Sequence, residues 1–347
     1  MKYLWFTATV LVMLADCQPR QKPEADTPEA EPVTPAIEAE GVFIESKDPL
    51  LDQIIGPEAK VEVLAEGFDW TEGPLWLEQV NKLIFSDIPP NIIYSWSEET
   101  GKEIYLTPSG YTGDAERGGE VGSNGLLLNP EGKLVLCQHG DRRLAVMNAS
   151  LGSPAPDYAT VVDHYQGKKL NSPNDAAFSS SGDLFFTDPP YGLEGNIDDP
   201  LKELEFQGVY RLDTQGQLHL LTDKMSRPNG IALSVDESKL YVANSDPDQA
   251  IWMEFNILKD GRIDEGRVFY DATEWVGKIK GLPDGMKVHP SGTIFATGPG
   301  GVWIFNEEGR HLGTIHTGQA TSNCALGNNN QYLYITADMY LMRVALL

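Results

Sequence analysis

RPNGIALSVDESKLYVANSD, residues 227–246, holds the unit from which the fold can be read. Asn229 opens it, a short apolar run follows, a polar turn interrupts, and a second apolar run leads to Asp246. The same unit recurs around Glu72 in TEGPLW, Asn124 in SNGLLL, Asn174 in SPNDAAF, Asp284 in PDGMKVH and Asn323 in TSNCALG. Successive polar residues are 52, 50, 55, 55 and 39 positions apart. A period of about 40–50 residues made of short strands marks a β-propeller. The sequence therefore predicts an all-β, six-bladed β-propeller with a central metal-binding channel. Every innermost strand would begin with one carboxylate or amide, and all six would face that channel.

The rest of the chain fits such a ring. Strand signals punctuated by Pro, Gly, Asn and Asp run to Leu347, with no sustained helical period. PLLDQII, residues 49–55, predicts a short helix that packs Leu50, Leu51, Ile54 and Ile55 on the domain. The strand-like segments Val61 to Leu64 and LMRVALL at the C-terminus are expected to pair in one blade, which closes the ring and removes its open edges. Two segments exceed the length of a hairpin loop, Thr107 to Gly122 and Tyr191 to Gly208, and are expected to shape the channel mouth. Cys137 and Cys324 fall in different repeats and read as small buried apolar residues.

A net charge of −25 leaves no basic stripe to meet phosphates and argues against nucleic acid as a partner. The first residues, MKYLWFTATVLVMLADC, combine a basic start at Lys2 with an apolar stretch too short to span a bilayer. Leu14-Ala15-Asp16-Cys17 resembles the lipobox of bacterial lipoproteins, although Asp16 stands where a small uncharged residue is usual. Residues 1–17 are thus expected to be a signal peptide of lipoprotein type. Residues 18–45, rich in Pro, Glu, Ala and Thr, read as a disordered acidic linker, and residues 46–347 as the propeller. The expected location is the periplasm or cell surface, with membrane contact only through a lipid at Cys17.

The six polar residues carry the chemistry. Glu72 and Asp284 supply two negative charges, and Asn174 and Asn229 supply neutral amide oxygens. Two carboxylates with amides match a hard divalent cation, calcium or another such as magnesium, better than zinc, which favours His and Cys. Asn124 and Asn323 are expected to complete the ring as hydrogen-bonding groups. No GxSxG elbow, phosphate loop or dinucleotide fingerprint is present.

In order along the chain, EGPLW, SNG, CQHGDRRL, KKLNSPND, FFTDPPYGL, RPNGIALS, PDGMKV, GPGGVWIF and NCALG resemble the gluconolactonase/regucalcin family of six-bladed propellers. The resemblance covers about residues 60–347 and implies a calcium-dependent hydrolase of sugar lactones. It implies that Glu72, Asn174, Asn229 and Asp284 hold the metal and that Asp284 assists the attacking water. Fluorophosphatase-like propellers share this arrangement, so a phosphotriesterase is a related reading; a non-catalytic binding module is the competing class.

His139 in CQHGDRR is the expected second catalytic or substrate-binding group. Tyr191 and Asp188 in TDPPYG are expected to border the pocket, with Asn124 among the substrate contacts. Arg142 and Arg143 read as exposed or acid-paired. Some lactonases of this resemblance carry an arginine two residues before the asparagine matching Asn174, and here that position is Ser172, which is expected among the substrate contacts. A serine cannot replace a guanidinium fork, so the pocket is expected to be roomy and weakly sensitive to substrate charge.

Overall fold

The computed structural model describes residues 1–2 and 41–347. Residues 3–17 of the expected signal peptide, Cys17 among them, and residues 18–40 of the expected linker lie outside the described residues. Six antiparallel sheets follow one another along the chain as blades. Their innermost strands are Thr71–Leu77, Ser123–Leu128, Ala176–Phe178, Pro228–Leu233, Met286–Val288 and Thr321–Gly327. The three inner strands of every blade step outward through consecutive hairpins, as the twice-repeated apolar run in every unit predicted.

The apolar runs are continuous because a blade is covered on both faces. Leu134–Gln138 and Leu184–Asp188 are buried at every position. Hydrophobic contacts accordingly lie between neighbouring blades. Leu77, Ile84 and Ile93 of the first blade meet Leu126, Leu134 and Leu136 of the second. Tyr241 and Trp252 of the fourth meet Trp303 and Phe305 of the fifth. No blade has a core of its own, so the blades stabilise one another only as a ring.

Closure follows the expected pairing. Val61–Glu66 runs antiparallel to the C-terminal strand Tyr340–Ala345, with Val61 opposite Val344 and Glu66 opposite Tyr340. The sixth blade thus joins an N-terminal strand to the last three strands of the chain. Pro49–Gln53 forms a single 3-10 turn, begun by the Asp48 carboxylate accepting from the Leu50 N–H at 2.9 Å. Leu51 and Ile55 are buried by it and Ile54 partly so, whereas Leu50 points to solvent.

The linker boundary needs correction. Val42–Ser46 lies within and just beyond the expected linker, yet it forms the fifth, outermost strand of the fifth blade. It pairs with His311–Thr317 in register from Val42–Thr317 to Ser46–Gly313. Val42 and Ile44 pack against the core formed by Leu312 and Ile315, while Phe43 stacks on His316 with ring centroids 4.3 Å apart. The Pro- and Glu-rich composition upstream masks a run of three good strand formers, Val42, Phe43 and Ile44. Cys137 and Cys324 are free thiols, both fully buried.

Candidate active site

The channel donors stand where they do because the inner strands converge to van der Waals contact. Gly73 follows Glu72, and a Cβ there would lie 2.1 Å from the carbonyl oxygen of Asn124 in the next blade. Gly230 follows Asn229, and its Cβ would meet the Asp284 carbonyl oxygen at 2.1 Å. Any side chain at these two positions would force adjacent blades apart, which explains the glycine after the donor in EGP, SNG, PNG and PDG. Hydroxyls on the second strands tie the blades across the same gap. Ser86 Oγ donates to the Asn124 carbonyl at 2.9 Å, Thr187 Oγ1 to that of Asn229 at 2.6 Å, and Thr297 Oγ1 to that of Ser322 at 2.8 Å.

Five of the six residues line one cavity of about 410 Å³: Glu72, Asn124, Asn174, Asn229 and Asp284. Asn323 sits behind them. Its amide donates to Glu72 Oε2 at 3.3 Å, and the Gly73 N–H donates to the same oxygen at 2.9 Å.

The electrostatics are unfavourable for the anionic cluster alone. Burial pushes the Glu72 carboxyl up to about 8, and the neighbouring Asp175 charge adds to the effect. Burial likewise holds the Asp284 carboxyl well above the usual range, reinforced by repulsion from Glu72 and Glu120 and opposed by the Asn229 amide. Among the described residues, Asp284 Oδ1 and Asn124 Oδ1 are buried with no hydrogen-bond partner. Buried acceptors of this kind are rare and costly without a partner.

The expected residues divide. Tyr191 lines the cavity, and burial raises its phenol pKa, so it remains a neutral hydroxyl. Ser172 does not line it. It is fully buried, its Oγ donating to the Pro189 carbonyl at 2.6 Å and accepting from the Gly192 N–H at 2.9 Å. Ser172 therefore clamps the loop that presents Tyr191 and cannot touch a substrate in the cavity. His139 also needs correction as a substrate contact. It is fully buried under the Gly192 backbone and outside the lining, its Nδ1 3.2 Å from Glu120 Oε2.

Asp188 is a turn organiser. Its carboxylate accepts from the Asn171 and Ser172 N–H groups, both at 2.8 Å, and burial raises it to about 7. Arg142 is neither exposed nor acid-paired. It is buried and donates to the Leu170, Asn171 and Leu201 carbonyls. Arg143 does pair with Asp141 at 2.9 Å.

Three residues escaped the sequence reading. Glu120, at the end of the long Thr107 to Gly122 loop, lines the cavity as a third carboxylate. Arg227, two residues before Asn229, lines it as a cation. Asp175 lies buried beside the cavity, with Lys287 Nζ 3.8 Å from its carboxylate. The loop carrying Val276, Ile279 and Leu282 adds an apolar wall. Length alone signalled the first loop, and nothing in the repeat signalled the wall.

The donor set suits a hard divalent ion. Glu72 and Asp284 bring carboxylate oxygens and Asn174 and Asn229 amide oxygens to one cavity, and among the described residues no three acidic, imidazole or thiolate side chains gather at ligand spacing. Oxygen-only coordination of that kind is characteristic of calcium. A bound ion would satisfy the unpartnered Asp284 oxygen and offset the charges that raise Glu72 and Asp284.

Known proteins place this propeller. A curated gluconolactonase from Zymomonas mobilis is 41% identical over 307 residues, covering 85% of this chain and 84% of that protein. A solved gluconolactonase structure from Xanthomonas campestris shares 30% identity with a TM-score of 0.75, covering 91% of this chain and 99% of that one. A calcium-binding regucalcin from Agrobacterium tumefaciens, 17% identical over 82% of this chain and 92% of its own, shares the fold with a TM-score of 0.63. The family model described as the SMP-30/Gluconolactonase/LRE-like region matches residues 70–338, which span every channel donor and all six inner strands, and the chain belongs to that family.

Proposed function

We propose that this protein hydrolyses a sugar lactone to the corresponding sugar acid, with a divalent cation, calcium, held by Glu72, Asn174, Asn229 and Asp284. The observation that carries the reading is the cavity itself: two carboxylates held above their normal range and two amides line it together, in a chain whose relatives include gluconolactonases. When bound, the ion would polarise the ester carbonyl and neutralise part of the local charge.

The chain's own groups account for the remaining work. Water adds to the carbonyl carbon, the ring C–O bond breaks, and the proton lost by the water ends on the departing ring oxygen. Asp284, with one oxygen free of partners, is placed to take that proton and pass it on. Asn124 and Tyr191 offer polar contacts on the cavity wall, and Val276, Ile279 and Leu282 cover the carbon face of the ring and exclude water.

Acid release from a panel of gluconolactone, an unsubstituted aliphatic lactone and a phosphotriester tests this reading. Gluconolactone is expected to be turned over fastest. Cleavage of the phosphotriester with no action on either lactone would replace the reading with the fluorophosphatase-like one.

We also propose that the protein is exported and anchored by a lipid at Cys17, on the strength of the LADC run and the Pro- and Glu-rich stretch that follows it. Metabolic labelling with a fatty acid is expected to mark the wild type and not Cys17→Ser. An unlabelled wild-type protein recovered free in the periplasm would refute the anchor while leaving the enzymatic reading intact.

A further inference from the structure

Ser172-Pro173-Asn174 in the third blade and Arg227-Pro228-Asn229 in the fourth occupy the same phase of the repeat. The fold gives their first residues opposite roles. Both hydrogen-bonding functions of the Ser172 hydroxyl are used inside the protein. Arg227 instead lines the cavity, and among its described lining residues it is the single cation beside Glu72, Glu120 and Asp284.

Its backbone is fixed on both sides. The Arg227 N–H donates to Asn244 Oδ1 at 2.8 Å, and its carbonyl accepts from the Ser245 N–H at 2.9 Å. Pro228 next in sequence disfavours the helical region for Arg227 and narrows its backbone freedom. The guanidinium has no ion-pair or hydrogen-bond partner among the described residues. Asp246, on the second strand of the same blade, is engaged elsewhere, accepting from Ser226 Oγ at 2.5 Å and from the Asp248 N–H at 3.0 Å. A guanidinium presents five donors in a rigid fork and accepts nothing. Here the fork is anchored at its root and unused at its tip, inside the cavity where the substrate binds.

We propose that Arg227 determines substrate specificity: its guanidinium hydrogen-bonds the ring hydroxyls of a polyhydroxylated lactone. The inference rests on the lactone reading above and names what that site selects. Hydroxyls fit better than a second substrate carboxylate, because three carboxylates share the cavity with one guanidinium. Glu120 on the same cavity can accept from the hydroxyls that Arg227 donates to. The guanidinium missing at position 172 is thus supplied from the neighbouring blade.

The test compares gluconolactone with valerolactone of equal ring size, which has no hydroxyls, in wild type, Arg227→Gln and Arg227→Lys. Arg227→Gln is expected to raise KM for gluconolactone about tenfold to a hundredfold, the loss of one charged hydrogen bond. Turnover should stay within about threefold, and KM for valerolactone within about twofold, because the interaction acts on binding alone. Lysine should restore only part of the loss, since it keeps the charge and lacks the fork. Thermal melting equal to wild type would establish that the variants are folded. Equal losses on both lactones, or none on either, would overturn the assignment to Arg227 while the lactone reading stands. A wild type that hydrolyses neither lactone would overturn both.

Discussion

Asp284→Asn is expected to lower turnover of the lactone by at least about a hundredfold, the scale of a lost general acid–base group, while leaving the protein folded. The substitution keeps the size of the side chain and removes its charge and its capacity to take a proton. Asn229, which lines the same cavity and bonds the Asp284 side chain, would still find a carbonyl acceptor in the new amide. The stability effect should have the opposite sign to the activity effect. Burial and repulsion from Glu72 and Glu120 raise the Asp284 carboxyl, so a neutral amide removes an electrostatic penalty in the metal-free protein. Steady-state kinetics with melting temperatures in chelator read both quantities. A variant with wild-type turnover would move the proton acceptor elsewhere, and Glu120, the other carboxylate on the cavity wall, would be next.

Chelation is expected to abolish hydrolysis, and calcium to restore it and to stabilise the fold more strongly at high pH than at low. The sign follows from the Glu72 carboxyl, which moves from an ordinary 4.5 to about 8 on folding, chiefly through burial. Between those values the folded chain holds a proton that the unfolded chain has lost. The contribution of Glu72 to the stability of the metal-free protein is therefore fully present below about pH 4.5 and is lost as pH rises through about 8. The loss is on the order of a few kcal/mol, since each unit of pKa shift corresponds to about 1.4 kcal/mol. A cation that binds the ionised form offsets this, and at roughly a thousandfold excess over Kd it adds about 4 kcal/mol of its own. At pH 5 protons compete for the same carboxylates and the gain shrinks. Melting curves with calcium and with chelator at pH 5 and pH 8 measure the difference. An unchanged melting temperature at pH 8, or full activity in protein shown to be metal-free by elemental analysis, would end the metal reading.

The outcomes at Ser172, Arg227 and His139 show how far local sequence carries. Ser172 and Arg227 stand at equivalent points of adjacent repeats, and nothing in SPN against RPN tells which side chain meets the cavity. That depends on the Pro189–Gly192 turn, which folds back over Ser172 and His139 and consumes the space between them. Glu120 presents the same problem. It reaches the cavity because a long loop returns across the mouth, and its composition carries no period that would say so.

Six phase-matched units, the polar residue at the head of each, and two strand-like ends able to pair were enough to determine the propeller, its ring of oxygen donors and its closure. These are periodic, local features, set by the alternation of apolar runs and turns and by the glycines that let inner strands touch. Which donors line the cavity, which merely support them, and where a cation and a third carboxylate enter were decided only in the folded ring. They depend on loops from different blades meeting over the channel, and on burial, which lifts Glu72 and Asp284 above the carboxylate range that their sequence positions alone would assign. Val42–Ser46 belongs to the same class: three strand formers next to a Pro-rich stretch become structure only because the fifth blade offers the open edge of His311–Thr317.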